Sequence, residues 1–285
     1  MRIDINGKPF TEFFVSGGGT MKPYLHPLRA ATGTTVTRLW PMVTDVAGEP
    51  HDHQHQRGQF IGHADVNKID FWGNEESYTT LNRGREVPVG SVVIKGASMT
   101  ARFNWSDPKD VVLLEETRTI TFYPHPTLRI VDFDIALTAK QRVIFGDEKD
   151  GFFALRLRPE LQEEKGAGHI VNADGLATEK NAWGKTSNWV DCYGNVGVER
   201  VGVAIFDHPD NPRHPSRWHV RGYGLFSANP FGLAMFTGDK SQDGALPVEA
   251  GQSLHFRYRV VIHAGNAQSA GIAKRYESYV QERKN

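Results

Sequence analysis

Between residues 92 and 137 the chain reads as three long extended runs separated only by short turn signals. In 111–123, β-branched and apolar side chains alternate with polar ones. After Pro124-His-Pro-Thr127, the residues Val131, Phe133, Ile135 and Leu137 alternate with Ile130, Asp132, Asp134 and Ala136. A period of two turns one face of a strand toward a core. Upstream, 92–105 is a further extended run, closed by Ser106-Asp-Pro-Lys-Asp110. Three such runs in succession describe an antiparallel meander, and the pattern continues at 152–158, 198–206, 218–226, 233–236 and 254–263. A convincing amphipathic helix occurs only at 267–283, where Ile272, Tyr276, Tyr279 and Val280 form one apolar stripe and Asn266 stands where an N-cap belongs. Many strands without crossover helices call for two large antiparallel sheets packed face to face. The expectation is therefore all-β: a single two-sheet sandwich domain over 1–285, closed by a C-terminal helix at about 267–283.

Composition removes several function classes. Lys plus Arg (33) equals Asp plus Glu (33), so no global field favours nucleic acid or an anionic membrane surface. One cysteine, Cys192, excludes an internal disulfide and suits a reducing compartment. The N-terminus lacks the apolar run of a signal peptide, and no stretch has membrane-spanning length. The expectation is a soluble, cytoplasmic protein without linker or internal repeat. Exposed sandwich edges would allow a homodimer.

The chemistry concentrates first in His51-Asp-His-Gln-His-Gln-Arg-Gly58, with His63 close behind. If that segment is extended, His51, His53, His55 and Arg57 all leave one face. A row of imidazoles ending in a guanidinium is costly to bury without partners and suits the wall of a ligand pocket. Histidines two apart on a strand project side chains roughly 7 Å apart, near enough to share one metal ion. His53 and His55 are therefore the pair for a divalent transition metal. The metal-free alternative uses the same imidazoles to bind hydroxyls or to move protons.

A second stripe repeats the pattern: His219, Arg221 and Tyr223 would share a face, with Trp218 and Val220 on the other. Before it, Asp207-His-Pro-Asp-Asn-Pro-Arg-His-Pro215 is a proline-stiffened loop. Such a loop holds Asp207, His208, Arg213 and His214 in place at low entropic cost. A third candidate is Asp147-Glu-Lys-Asp-Gly151, where Asp150 could act as a base at a sheet end and Lys149 as its partner. Trp183, Trp189 and Tyr193 could offer a stacking platform, or could simply be core aromatics. Gly17-Gly-Gly19 is not a phosphate loop, and Cys192 has no nucleophile signature.

Successive blocks of the chain resemble the bacterial "PmoA family": Lys22-Pro-Tyr-Leu-His-Pro-Leu28, Val36-Thr-Arg38, Asp52-His-Gln-His-Gln-Arg-Gly58, Gly62-His-Ala-Asp-Val-Asn67, Asp70-Phe-Trp72, Phe206-Asp-His-Pro209, Arg213-His-Pro215, Trp218-His-Val-Arg221 and Asn229-Pro-Phe-Gly232. They run through nearly the whole chain in order. Where the family pattern usually has a further histidine at position 56, this chain has Gln56, which weighs against a ligand role there. The label implies a methane monooxygenase subunit, yet the chain has no membrane-length apolar run. The resemblance instead implies a galactose-mutarotase-like supersandwich that takes a sugar in an open groove lined by His, Arg, Asp and Trp. His26, inside the first block, joins the residues expected to line it.

Three readings follow. In the first, the protein is a carbohydrate-active enzyme, an epimerase, lyase or hydrolase. His53, His55 and His219 act as acid or base, Asp150 as a possible base, and Arg57 and Arg221 steady developing negative charge. His26, His63, Asp207, His208, Arg213, His214 and Tyr223 contact the small-molecule carbohydrate. In the second, His53 and His55 ligate a metal for hydrolysis or oxidation. In the third, the protein binds sugar without turnover.

Overall fold

The computed structural model describes residues 1–79 and 82–282. Two antiparallel sheets carry the fold. One has seven strands in the order Arg2–Ile5, Lys8–Phe14, Tyr24–His26, Gln59–His63, Gly151–Arg156, Leu225–Asn229, Arg217–Val220. The other runs His169–Asn172, Trp189–Val196, Glu199–Asp207, Ser253–Ala264, Arg129–Ala139, Val112–Tyr123, Ser98–Ser106, Arg85–Pro88, with Val93–Lys95 also paired to Ser98–Ser106. The all-β sandwich expected from the alternation is what forms.

The core lies between the sheets, where the alternating residues of both meet. Phe153 of the smaller sheet meets Phe133 edge-on at 4.8 Å and stacks on Tyr258 at 4.5 Å, both from the larger sheet. Each such aromatic contributes about 1.5–3 kcal/mol on full burial. The meander forms with its expected register, Leu114 opposite Ala139 and Tyr123 opposite Ile130.

Two expected strands are instead hairpins. The run at 92–105 folds back at Gly96, whose φ of +59° suits a residue without Cβ. The run at 218–226 breaks at Gly224 (φ +91°), pairing Arg217–Val220 with Leu225–Asn229 and leaving 221–224 as a turn. The expected strand at 233–236 is a single helical turn, Ala234–Thr237. The C-terminal helix spans Ile272–Glu282, starting later than expected because Gly271 (φ +64°) ends the preceding turn. Asn266 caps that turn through a 2.8 Å bond from the Ser269 amide. Arg283, the last residue of the expected helix, lies outside the described residues. Ile272, Tyr276 and Tyr279 bury the helix stripe against Trp189, Phe206 and Val261 on the outer face of the larger sheet. No helix among the described residues is long and apolar enough to cross a membrane.

Candidate functional site

The outer face of the seven-stranded sheet receives the residues that point away from the core. Strand alternation puts Tyr24, Phe60, Ala154 and Leu225 there, and with Trp72 they form an apolar floor. Met42 and Tyr223 pack on it. Over this floor lie the 38–58 loop, the 148–150 turn and the 221–224 turn.

The 51–58 segment is not a strand. Pairing begins only at Gln59, and His53 sits at φ +44°, a left-handed conformation that costs a side-chain-bearing residue about 1–3 kcal/mol. The strict alternation of His51, His53, His55 and Arg57 therefore does not occur. Arg38 shapes the loop instead. Its buried guanidinium donates to the carbonyls of Pro50 (3.3 Å), Asp52 (2.8 Å), His53 (2.9 Å) and Gln56 (3.2 Å), and to Asp52 Oδ1 (2.6 Å). Arg156, equally buried, reaches the same Oδ1 at 2.7 Å and Gln56 Oε1 at 2.5 Å. The other carboxylate oxygen of Asp52 stands 3.2 Å from His53 Nδ1. Partial burial works against ionising Asp52, but Arg156 and Arg38 outweigh it and hold the carboxyl below its ordinary value. The His53 ring stacks on Tyr223 at 5.0 Å and 8°, and the Arg156 guanidinium lies 4.5 Å from that same tyrosine ring. His53 and Asp52 keep 42% and 37% of their side chains exposed, so the pair faces solvent. With Asp52 at Nδ1, Nε2 is the nitrogen left for a ligand.

The second expected stripe converges on the same place. Trp218 and Val220 enter the core while His219 takes the outer face. Its Nε2 is 3.9 Å from Asp150 Oδ1, and Asp150 Oδ2 is 2.6 Å from Lys149 Nζ. Asn229 holds that turn by donating to the carbonyls of Glu148 (2.8 Å) and Lys149 (2.9 Å). Burial lowers His219 to about 3 against the pull of Asp150, so its imidazole is neutral. Trp183 meets it edge-on at 6.3 Å. His219 Nδ1 and Trp183 Nε1 are both buried without a hydrogen-bond partner.

Several candidates serve other ends. His55 lies beneath His53, its Nδ1 3.2 Å from the Tyr78 hydroxyl, and burial holds it well below the usual imidazole range. Arg57 is buried and donates from Nε and Nη2 to the two carboxylate oxygens of Glu75, at 2.7 Å each. Arg221, in the turn rather than on a strand face, pairs with Glu179 at 2.7 Å. His26 is buried and pushed down to about 4 by that burial. His63 alternates with Phe60 and so faces the core. It packs against Phe145 and Phe231, lies 2.8 Å from the Gly146 carbonyl through Nε2, and is lowered to about 4 by burial.

The proline-rich loop builds a separate knot where the larger sheet meets the C-terminal helix. Buried Asp207 accepts from Asn211 Nδ2 (2.7 Å) and the Ser216 amide (2.7 Å), and His214 Nδ1 lies at 3.0 Å. His208 meets Tyr279 edge-on at 5.2 Å. Arg213 donates to the carbonyls of Gly244 and Ala245. These partners of Asp207, Arg213 and His214 lie within 207–216 and at 244–245. Trp189 packs on the C-terminal helix, and Tyr193 stacks on His169, so only Trp183 of the suggested platform reaches the site.

The donor set does not fit a metal ion. The His53 and His55 rings lie edge to face, 5.9 Å between centroids, and among the described residues no three His, Cys, Asp or Glu side chains converge on one point. Sequence reasoning named neither Asp52 nor Arg156 nor Arg38 as site residues, although Asp52 lies inside the first motif. It also passed over Lys22, whose buried ammonium donates to the Trp72 carbonyl (2.5 Å) and Asn74 Oδ1 (2.7 Å), 5.0 Å from the Phe60 ring. Burial pulls Lys22 down to about 8.

Comparison with known proteins gives one family and a set of similar architectures. The family that matches, described as a family of unknown function (DUF6807), covers residues 1–277. No curated protein matches the chain. Among solved structures, a GH36 alpha-galactosidase of Geobacillus stearothermophilus is similar at 11% identity and TM-score 0.45, over 93% of this chain and 40% of its own. A galactose mutarotase related enzyme of Lactobacillus acidophilus is similar at 10% identity and TM-score 0.43, over 92% of this chain and 97% of its own. A polysaccharide lyase is similar at 13% identity and TM-score 0.36, over 90% and 32%. This chain thus spans well under half the length of the galactosidase and the lyase. The PmoA resemblance drawn from the sequence blocks finds no counterpart here: the family that matches is described as DUF6807, of unknown function.

Proposed function

We propose, for a chain that belongs to a family of unknown function, DUF6807, that it is a carbohydrate-active enzyme working by metal-free proton transfer on the outer face of its smaller sheet. One observation carries the reading: a half-exposed histidine, His53, is backed at Nδ1 by Asp52, which two buried arginines hold in place. A carboxylate so fixed orients the imidazole and leaves its Nε2 toward a ligand, the arrangement a general base needs. The Tyr223–His53 stack and the apolar floor beside it suit the flat face of a sugar ring, while Asp150 and Lys149 suit its hydroxyls.

In epimerisation or elimination beside a carbonyl, His53 Nε2 takes the proton from carbon. The C–H electron pair forms the enolate double bond and the carbonyl pair moves onto oxygen, where the Lys149 ammonium, with one donor on Asp150 and two left, meets the charge. Return of a proton to the opposite face completes epimerisation. Loss of a neighbouring alkoxide, protonated as it leaves, completes elimination. The alkoxide takes back the proton held on His53 Nε2, and in epimerisation the Lys149 ammonium, oriented by Asp150, is the donor for the opposite face. Arg57 has no part in it, its buried side chain being taken by Glu75, and Arg221 is turned to Glu179.

The test is deuterium wash-in. Aldoses, keto-sugars and uronates incubated with the protein in D2O and followed by NMR should include one that exchanges a carbon-bound proton, with exchange lost in His53→Ala. A panel that binds but neither exchanges nor reacts would sink the enzymatic reading and leave a sugar-binding protein.

A further inference from the structure

Trp40 and His51 take no part in the chemistry above, yet they repeat the arrangement that does. The His51 ring lies on Trp40 at 4.9 Å and 10°, as His53 lies on Tyr223 at 5.0 Å and 8°. Each aromatic ring also has a buried guanidinium over it, Arg38 at 5.1 Å from Trp40 and Arg156 at 4.5 Å from Tyr223. The two guanidiniums share Asp52 Oδ1, at 2.6 and 2.7 Å. Two stacks of the same make-up therefore stand beside one carboxylate.

Their spacing is short. His51 and His53 are two residues apart, so their Cα atoms lie within about 7 Å of each other, the scale of one sugar unit. Both imidazoles are exposed, whereas the guanidiniums are buried, so the solvent side of each stack is its flat imidazole. Met42, two residues beyond Trp40, packs into the apolar floor with Tyr223, which leans the start of the loop on the same surface. Loop packing alone requires neither a second stack nor an exposed imidazole on each.

We infer that Trp40 and His51 form a second sugar subsite, and that the substrate is a glycan of at least two linked units. One unit lies against the Nε2 edge of His53, at the proton-transfer pair beside Tyr223, and the next over His51 and Trp40. The inference rests on the outer face being a sugar site.

Titration calorimetry with a panel of monosaccharides and their di- and trisaccharides, on the wild type and on Trp40→Ala, Trp40→Phe, His51→Ala and Tyr223→Ala, separates the two claims. The extended ligand should bind about tenfold more tightly than the single unit, an increment typical of one aromatic platform. Trp40→Ala and His51→Ala should cut the ratio of extended to single-unit affinity, Trp40→Phe should keep most of it, and Tyr223→Ala should weaken both ligands together. The His51 and Trp40→Phe arms keep the test intact if Trp40→Ala fails to fold. A monosaccharide that binds while extension adds nothing, or an increment untouched by Trp40→Ala and His51→Ala, overturns the second subsite and leaves the first. Failure of every glycan to bind overturns both.

Discussion

The Asp52 carboxylate meets the His53 imidazole at 3.2 Å, and its opposite oxygen is gripped by two buried guanidiniums at 2.6 and 2.7 Å. The carboxylate is thus both the partner of an exposed base and the shared counter-ion of Arg38 and Arg156.

Asp52→Asn should therefore fail twice. Turnover should fall by about 10²-fold or more as the base loses its orienting charge, while KM moves little. Stability should drop by about 1–3 kcal/mol, less than for a fully buried pair because Asp52 is 37% exposed. Steady-state kinetics beside chemical denaturation measures both. A variant with unchanged kcat would show that His53 does not use this carboxylate.

Acid should destabilise the fold from near neutrality downward. Burial holds His26 and His63 at about 4 and His219 at about 3. The unfolded chain takes up these protons near the ordinary histidine value of about 6.5, whereas the folded chain resists until its own lower values. Between those limits the unfolded state binds more protons, so stability is full above about 6.5 and declines as pH falls toward 4. His263 has the opposite sign: despite burial, its contact with Asp191 raises it, so its contribution is present at low pH and fades as pH rises through the raised value. Thermal melts from pH 4 to 8 should show the decline, shallower in His63→Phe. A melting temperature flat down to pH 4.5 would contradict the assignment of three neutral buried histidines.

Asn229→Ala should release the turn that carries Asp150. The amide donates to two carbonyls of that turn and accepts from the Phe231 and Gly232 amides at 2.8 and 3.1 Å. Loss of this buried set should cost about 2–4 kcal/mol. It should also raise KM or lower kcat, and Asn229→Asp should do no better, since its carboxylate keeps the bonds from Phe231 and Gly232 but cannot donate to the turn. Kinetics unchanged in both variants would mean the turn's position is immaterial.

Chelation should leave the protein as it was. With no three suitable donors converging among the described residues, dialysis against a strong chelator should change neither melting temperature nor activity. Elemental analysis should find no stoichiometric metal dependent on His53 and His55. A transition metal lost in the His53→Ala/His55→Ala variant would restore the metalloenzyme reading.

The sheets were legible because alternation at Val131, Phe133, Ile135 and Leu137 is a local signal that packing only confirms. The same rule misplaced residues wherever a glycine interrupted it, as Gly224 did by turning Arg221 and Tyr223 off the strand. Within 51–58 the rule failed for a different reason. The loop takes its shape from hydrogen bonds with Arg38 and Arg156, 12 or more residues away from their acceptors or across the chain from them. No local spacing reports such bonds. The convergence of His53 with His219 and Tyr223 was readable as matching chemistry, but the burial of His55 and His63 was not, because period and residue type do not say which side a loop will cover.

Arg38 has one more consequence. Four of its five hydrogen bonds go to backbone carbonyls of the loop rather than to side chains. Every amino acid presents the same carbonyl, so the contour of the loop is largely indifferent to what its side chains are. Recognition at positions such as His51 and Gln54 can drift from one descendant to the next without disturbing the scaffold. Within 51–58, Asp52, Gln56 and Arg57 are tied to the frame by their side chains, which leaves the acid–base pair fixed while the remaining positions are free to diversify.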